Sequence, residues 1–480
     1  MDDIVLGLLS EGPTEFYQRD AVRSTYLKEF NYMAQYNETN FEFLKRLATR
    51  YGQWFYFDGM RMQFGQLKSS KIKLINGASI HKFKIQVNMT AHAISLAGYD
   101  YNNAVGIRNS SARTATGSKD GFASIVGFNQ GTVTQGELSI GAYTNSAQSR
   151  EEIQEMVILQ TAGSDANSVY YSGISYFPLG LGQTFTIIDQ TTEHDLVCIE
   201  AIHRSEVHGN YACEFKAIPV DVGAPHYTDT KVFAKAETQP AKIKDNNDPE
   251  GLGRVRVEFF WASGSTKSQW IRMIQPHTGA GKGFYFIPEI GEEVLVGFEG
   301  GNAQKPYVIG AHYNGNESSG YITPKNDIKA IRTRSGIKII MNDAEGSVLI
   351  EDPSGNKYFM DGNGSMTCDA PKNITLNAGE DININAGQNM TTNVGLNKTS
   401  TIGGNYTETI TGSKFLSIGI DFAIKVIGNF AEFIKGNRES ETGERKEIAK
   451  TASLISTEEH INVHASKNLN KYSGENTTNS

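Results

Sequence analysis

Between Ile374 and Asn437, apolar and polar positions alternate in a cycle of eight: ITLNAGED, ININAGQN, MTTNVGLN, KTSTIGGN, YTETITGS, KFLSIGID, FAIKVIGN and FAEFIKGN. The fifth place is always small or aliphatic: Ala378, Ala386, Val394, Ile402, Ile410, Ile418, Val426 and Ile434. The eighth is Asp381, Asn389, Asn397, Asn405, Ser413, Asp421, Asn429 and Asn437, with a Gly one or two places before it. Alternate residues of a strand share a face, so places one, three and five form a stripe, and Gly with Asn supplies the bend. Bends recurring within little more than two helical turns exclude a helix. One chain cannot bury so narrow a stripe, whereas three copies wound on one axis bury all three and leave no free edge. Strands stacked at about 4.8 Å then give a prism on the order of 40 Å long. A single-chain β-solenoid is the other architecture that such a repeat allows. The calcium-binding nonapeptide roll is not matched, because GGxGxD is missing. The alternation loosens toward the end, with Glu408 and Glu432 at odd places and Phe415 and Phe433 at even ones.

Upstream the pattern changes. Thr39 and Glu42 form a capping-box signature, after which Phe41, Leu44, Leu47, Ala48 and Tyr51 recur at helical spacing until Gly52. Lys45, Arg46 and Arg50 read as the solvated face, and Trp54 and Phe55 as packing residues. From Lys71 to about Pro225 the runs read as strands, among them KIKLI, KFKIQVNMTAHAISLAGYDY, SIVGF and QTFTIID. One helix interrupts them, SREEIQEMVILQTAG, capped by Ser149 with Glu152 three residues on. LVCIEAIHRSEVHGNYACEFKAIPV reads as a long hairpin. A linker follows, Gly223 to Asp248. Next come five strand-like runs, RVRVEFFW, SQWIRMIQP, GFYFIP, EEVLVGFE and PYVIGAHY, which suggest a small barrel of the oligonucleotide/oligosaccharide-binding (OB) type.

Composition narrows the classes. The chain has 480 residues, enough for two to four domains. Its 49 Gly against 12 Pro suit an all-β protein with many turns. A net charge of −8 gives a nucleic-acid partner no electrostatic support. Cys198, Cys213 and Cys368 have no metal spacing, and folding in a reducing compartment is the expectation. The opening MDDIVLGLLSEG is acidic where a signal peptide is basic, and no stretch is long enough to span a bilayer.

Candidate chemistry is thin. His194, His203 and His208 read as ordinary strand and turn histidines. KDNNDPEG has Pro249 where a calcium loop needs an oxygen ligand, so it reads as a turn. GAGKG, Gly279 to Gly283, departs from a phosphate loop at Pro276 and Gly283. Arg254, Arg256, Lys267, Trp270 and Arg272 would make a single-strand-binding face, but Glu258, Glu292, Glu293 and Glu299 oppose it. Glu292 and Glu293 are adjacent on a strand and cannot flank one bond. No hydrolase, protease, thiol or nucleotide motif is present, so neither catalysis nor a cofactor is expected. His460 and His464 are four apart, on one side of a strand, and in a trimer would be candidate ligands for an axial metal. Two solvated histidines are the plainer alternative.

GRVRVEFFW, WIRMIQP, GFYFIPEIGEEVLVGFEGGN and KPYVIGAHYNGN resemble the spike protein of type VI secretion, the valine-glycine repeat protein VgrG, itself similar to the hub and spike of contractile phage tails. QYNETNFEFLKRLATRYGQWFYFDG and YACEFKAIP resemble its hub, and Thr333 to Asn356 the start of its spike. The resemblance implies a hub-like module at 1–225, a linker at 226–250, an OB domain at 251–320, a neck at 321–373, the octad prism at 374–437 and a polar tail at 438–480. It also implies a homotrimeric, non-catalytic puncturing spike that seats on an Hcp-like inner tube and meets baseplate components. A PAAR-type tip protein and effectors would sit at its far end. Its route would be from the cytoplasm outward through the contractile apparatus, with a target membrane met in passing. The family's hub extends further upstream than the 34 residues before Gln35, so either part of the hub is absent from this sequence or the protein carries a reduced hub. GGNAQKP stands where the family has a GDPD-type turn, and Ser318 to Lys329 leaves no room for an inserted enzyme. A spike of a phage-like injection particle fits the same pattern. A trimeric adhesin or glycan-binding tail protein is the alternative from another class.

Overall fold

The computed structural model describes the chain apart from residues 14–18, 31, 89, 91–93, 111–117, 126–148, 208, 263–265 and 475–480. Two compact units are distinguished, Met1–Thr375 and Leu376–Ser480. The first is mainly β. Its opening residues form helix α1 (Asp2–Leu9), whose Val5 is wholly buried against Phe43, Leu44, Leu47 and Phe64. Helix α2 (Asn40–Tyr51) begins on the expected capping box. The Thr39 hydroxyl accepts from the Glu42 N–H at 3.2 Å, and the Thr39 N–H donates to Glu42 Oε2 at 2.8 Å. Gly52, at φ 62°, ends the helix in the left-handed region.

The faces of α2 differ from expectation. Leu44, Leu47 and Ala48 are buried, but so are Arg46 and Arg50, while Phe41 is 58% exposed. Later chain crosses the supposed solvated face. Arg46 makes a forked pair with Glu38 (2.6 and 2.9 Å) and donates to the Ala34 carbonyl; Arg50 donates to the Thr230 carbonyl at 3.0 Å. The periodicity of an isolated helix does not register such partners.

After the ribbon β1 (Phe55–Phe57) and β2 (Met62–Phe64) come β3 (Lys68–Ile75) and β4 (Ile80–Val87). The hairpin of β5 (Ser95–Asp100) and β6 (Val105–Ser110) packs Leu96 and Ile107 on Ile153 and Met156 of α3 (Arg150–Ala166). The run KFKIQVNMTAHAISLAGYDY is therefore two strands in two sheets. Helix α3 is capped as expected, Ser149 Oγ accepting from the Glu152 N–H at 3.1 Å. Strands β7 (Val169–Ser175), β8 (Gln183–Asp189), β9 (Thr192–Ser205) and β10 (Tyr211–Pro219) complete a six-stranded sheet in the order β3-β8-β9-β10-β7-β4. Only β3 and β8 are parallel within it. Leu74, Tyr171, Ile187, Leu196, Cys198 and Cys213 fill its core. The β9–β10 pairing is the expected long hairpin. Of SIVGF, Ser124 and Ile125 end a helical stretch at 121–125 instead of a strand, and the other three residues lie outside the described chain.

The next sheet takes its central strand from the expected linker. Strand β11 (Gln239–Asp245) pairs with β12 (Arg256–Phe259) on one side. Beyond a short hairpin of β13 (Thr278–Gly279) and β14 (Lys282–Gly283), β15 (Glu293–Phe298) pairs with β11 on the other side and carries β16 (Pro306–Ala311). Isolated bridges from Val255 to Ile271 and from Met273 to Val308 draw the curved sheet together around Ala241, Ile243, Val257, Val294 and Val296. Only Ala241 and Ile243 of β11 are buried, so Lys242, Lys244 and Pro240 gave it the look of a linker. GFYFIP is not a strand: Phe284, Tyr285 and Phe286 are 49–74% exposed. SQWIRMIQP contributes only the two bridges.

A meander closes the first unit: β17 (Ile328–Arg332), β18 (Lys338–Asn342), β19 (Ser347–Glu351), β20 (Lys357–Met360) and β21 (Met366–Asp369), paired in sequence order. Its turns are fixed locally. Asp352 Oδ1 accepts from the Ser354 and Asn356 N–H groups at 2.9 and 3.1 Å, and Gly355 takes φ 90°. Ile331, Ile339, Ile350, Tyr358 and Cys368 stand in register on one face.

Candidate functional site: the octad stripe

In the second unit the eight-residue cycle becomes geometry. Bends fall at 379–380, 387–388, 395–396, 403–404, 411–412, 419–420, 427–428 and 435–436. They go on at 443, 450–451, 457–459, 466–467 and 474, so the rhythm runs through what reads in sequence as a tail. Among the described residues here, no repeat pairs with the next as strands. A solenoid would stack each coil on its neighbour, and no such stacking is present among the described repeats.

Exposure separates the faces sharply. At the fifth place Val394, Ile402, Ile410, Ile418, Val426 and Ile434 are 43–50% exposed. Apolar residues at places one and three, such as Ile374, Leu376, Phe422 and Ile424, are 56–71% exposed. Leu396, Phe415, Ile420, Ile427 and Phe433, at other places, are 92–98% exposed. Places one, three and five are thus the less exposed side of the chain, and the stripe meets no other part of its own unit closely enough to be buried.

Two acidic residues interrupt the stripe, and each has a partner. Glu408 receives Lys414 Nζ at 2.5 Å, and Glu432 receives Arg438 Nη1 at 3.3 Å. Both pairs are six residues apart, from the third place of one repeat to the first place of the next. Glu408 is the main cause that holds the Lys414 ammonium above its usual range. His460 and His464 alternate with Ile461 and Val463, which are 47% and 61% exposed, in the manner of the stripe. The histidines thus alternate with the stripe residues.

Candidate chemistry in the first unit resolves into structural pairs. His194 has a carboxylate after all: its Nδ1 lies 2.6 Å from Asp120 Oδ2, and the Tyr171 hydroxyl donates to the other oxygen. Asp120 also caps the 121–125 turn through the Ala123 N–H at 2.9 Å. Burial alone would raise the Asp120 pKa, but donation from His194, Ala123 and Tyr171 outweighs it and holds the carboxyl below its ordinary range. Burial, with the bond to Asp120, pushes the Tyr171 phenol up. No sequence spacing announces Asp120. His203 bonds the Tyr211 hydroxyl at 2.5 Å, and His208 lies outside the described residues. KDNNDPEG is a turn organised by Asp248, which accepts from the Glu250, Leu252 and Arg254 N–H groups and from the Arg254 guanidinium. Those donors, Arg254 first, bring the Asp248 pKa down to about 2. GAGKG is the β13–β14 hairpin, with no helix behind it. The basic residues of the barrel are engaged: Arg254 with Asp248, Arg272 with Glu299, Lys267 with Asp245, and Arg256 over the Trp270 ring. Among the described residues no three His, Cys, Asp or Glu side chains gather as a metal site, and no helix is long and apolar enough to cross a membrane.

Residues 239–313, the curved sheet and its hairpin, match the type VI secretion system/phage-baseplate injector OB domain. That stretch is similar to injector OB domains, and the chain is similar over part of its length to VgrG-type spike proteins. It is 38% identical over 90 residues to the type VI secretion system spike protein VgrG1a of Pseudomonas aeruginosa, a match covering 18% of this chain and 13% of that one. It is 27% identical over 169 residues to the actin cross-linking toxin VgrG1 of Vibrio cholerae, covering 30% of this chain and 15% of that one. The chain thus spans about a seventh of the length of these relatives. Among solved structures, an Escherichia coli type VI secretion component aligns at TM-score 0.33 and 15% identity over 58% of this chain and 62% of that one. The VgrG of a Francisella PdpA–VgrG complex aligns at TM-score 0.40 and 8% identity over 70% and 56%.

Proposed function

We propose that three copies of this chain wind their octads into a rigid needle, and that the protein is the non-catalytic puncturing spike of a contractile injection machine. The observation that carries this reading is the exposed stripe: Val394, Ile402, Ile410, Ile418, Val426 and Ile434 recur at the fifth place, each 43–50% exposed, in repeats that form no strand ladder among the described residues. Large, regularly spaced apolar surface of this kind marks an interface, and a threefold arrangement gives each stripe two partners and leaves no open edge. Ala378 and Ala386 would complete the core of the needle. Relationship to VgrG-type spikes through the OB domain supports the same reading. On it, residues 1–225 serve as a hub seated on an Hcp-like inner tube, 226–238 as a linker, 239–320, which takes in strand β11, as the collar, 321–373 as the neck and 374–437 as the needle. A PAAR-type tip protein and effectors would engage the region of 438–480. The work done is transmission of force to a target membrane, followed by export with the cargo from the cytoplasm.

Light scattering on the full chain and on a version ending at Tyr321 tests this. A trimer that falls apart without the octads is the expected result. A monomeric full chain would overturn the needle.

A further inference from the structure

Lys398 stands alone at place one, but the two acid–base interruptions of the stripe that follow do not read as decay of the repeat. In an outward-facing region of a needle, acidic and basic residues would scatter among the places of the octad. Here Glu408 and Glu432 both occupy place three, Lys414 and Arg438 both occupy place one of the following repeat, and the pairs lie three repeats apart. Exposure puts the two carboxylates with the stripe: the side chains of Glu408 and Glu432 are 39% and 41% exposed, against 71% for Glu447 outside the octads, and each draws its cation to it. Between the pairs, Leu416, Ile418, Phe422, Ile424, Val426 and Phe430 restore an apolar stripe.

We infer that Glu408–Lys414 and Glu432–Arg438 form two charged layers inside the needle, and that these layers fix the axial register of a second and third copy of this chain. The inference rests on the trimeric reading above. An eight-residue apolar repeat is nearly blind to slippage, because a copy displaced by one octad meets an almost identical stripe. A charged layer removes that degeneracy. In register, three carboxylates and three cations at one height alternate and neutralise one another. After a slip of one octad, Glu408 of one copy faces uncharged Ser400 or Leu416 of another, leaving a desolvated charge without its partner. A polar group placed once in a repetitive apolar interface sets coiled-coil register in the same way. With two layers three octads apart, only a three-octad displacement brings one layer onto the other, and that sacrifices three octads of stripe.

The test uses the full chain. Glu408→Lys would place six cations at one height, and it is expected to weaken the trimer at least about hundredfold. The swap Glu408→Lys with Lys414→Glu restores the layer and should return the trimer to within about tenfold of wild type. Glu380→Lys, at place seven, is the outward control, with less than about a fivefold effect. Glu408→Leu with Lys414→Leu should keep the trimer but scatter its register. Ile410→Cys in a Cys368→Ser background reports this, since one disulfide can form among the three thiols of a trimer: oxidation links two of the three chains in nearly every in-register trimer and in fewer of the slipped ones. A wild-type monomer overturns the trimer and the layers with it. A wild-type trimer that tolerates Glu408→Lys, or a leucine variant that cross-links as fully as its parent, overturns the layers alone.

Discussion

Asp120 and His194 stand 74 residues apart in the chain, yet their side chains meet at 2.6 Å in a place where each is only 3% exposed. Asp120 also receives Tyr171, itself wholly buried. Replacing Asp120 by Ala strands two buried polar groups at once and frees the 121–125 turn. The expected loss is about 3–5 kcal/mol in urea unfolding. The sign with pH follows from the lowered Asp120 pKa. The stabilisation is present in full above the ordinary carboxyl value of 3.8 and is lost as pH falls through and below it. Urea midpoints at pH 7 and pH 3 should therefore converge between wild type and Asp120→Asn as the solution is acidified.

Arg46 and Glu38 make the same case on helix α2. Their side chains are 6% and 11% exposed, so Arg46→Ala leaves a buried carboxylate with no counter-charge. The expected cost is about 3–5 kcal/mol, and Arg46→Met combined with Glu38→Leu should recover most of it. A double-mutant cycle read by thermal melting checks both parts.

At Gly182 backbone and neighbour both forbid a side chain. Its φ is +68°, and a Cβ there would sit 2.1 Å from the Tyr56 ring. Gly182→Ala should lower stability by well over the roughly 1 kcal/mol that the backbone conformation alone costs. Adding Tyr56→Ala to Gly182→Ala should recover the part due to the clash, measured by chemical denaturation.

The stripe predicts a contrast between faces. Ile410→Asp or Ile418→Asp should reduce the trimer mass in light scattering, while Ile427→Asp and Phe433→Asp, on residues 98% and 94% exposed, should leave it intact. Equal damage from both sets would deny that places one, three and five face the partner copies.

Much of this was written in local pattern. The capping box at Thr39, the Ser149 cap, the β9–β10 hairpin and the eight-residue cycle depend on neighbours within a few residues, and all four were legible. What escaped depends on distant partners. Arg46 and Arg50 look solvated until residues 34–38 and 230–232 arrive over them. Strand β11 hides because lysines flank its two core residues, and β-pairing across fifty residues leaves no periodic trace. The partner of His194 was invisible for the same reason. GFYFIP misled in the opposite sense, since aromatic content suggested a strand where the pairing stops at Gly283 and Phe284. The charge pairs of the stripe were legible in principle: an acid at place three and a base six residues on is a spacing of the octad itself.

That the octads close no ladder of their own governs how the molecule is made. The first unit can complete its sheets from a single polypeptide, at a rate that dilution does not change. On the trimeric reading the repeats beyond Leu376 order only when chains meet, a step that should accelerate with protein concentration. Until that meeting, each nascent copy carries a long row of Ile, Val and Phe side chains in water. The interval between synthesis and encounter is therefore the stage at which this protein is most exposed to aggregation and most in need of a chaperone.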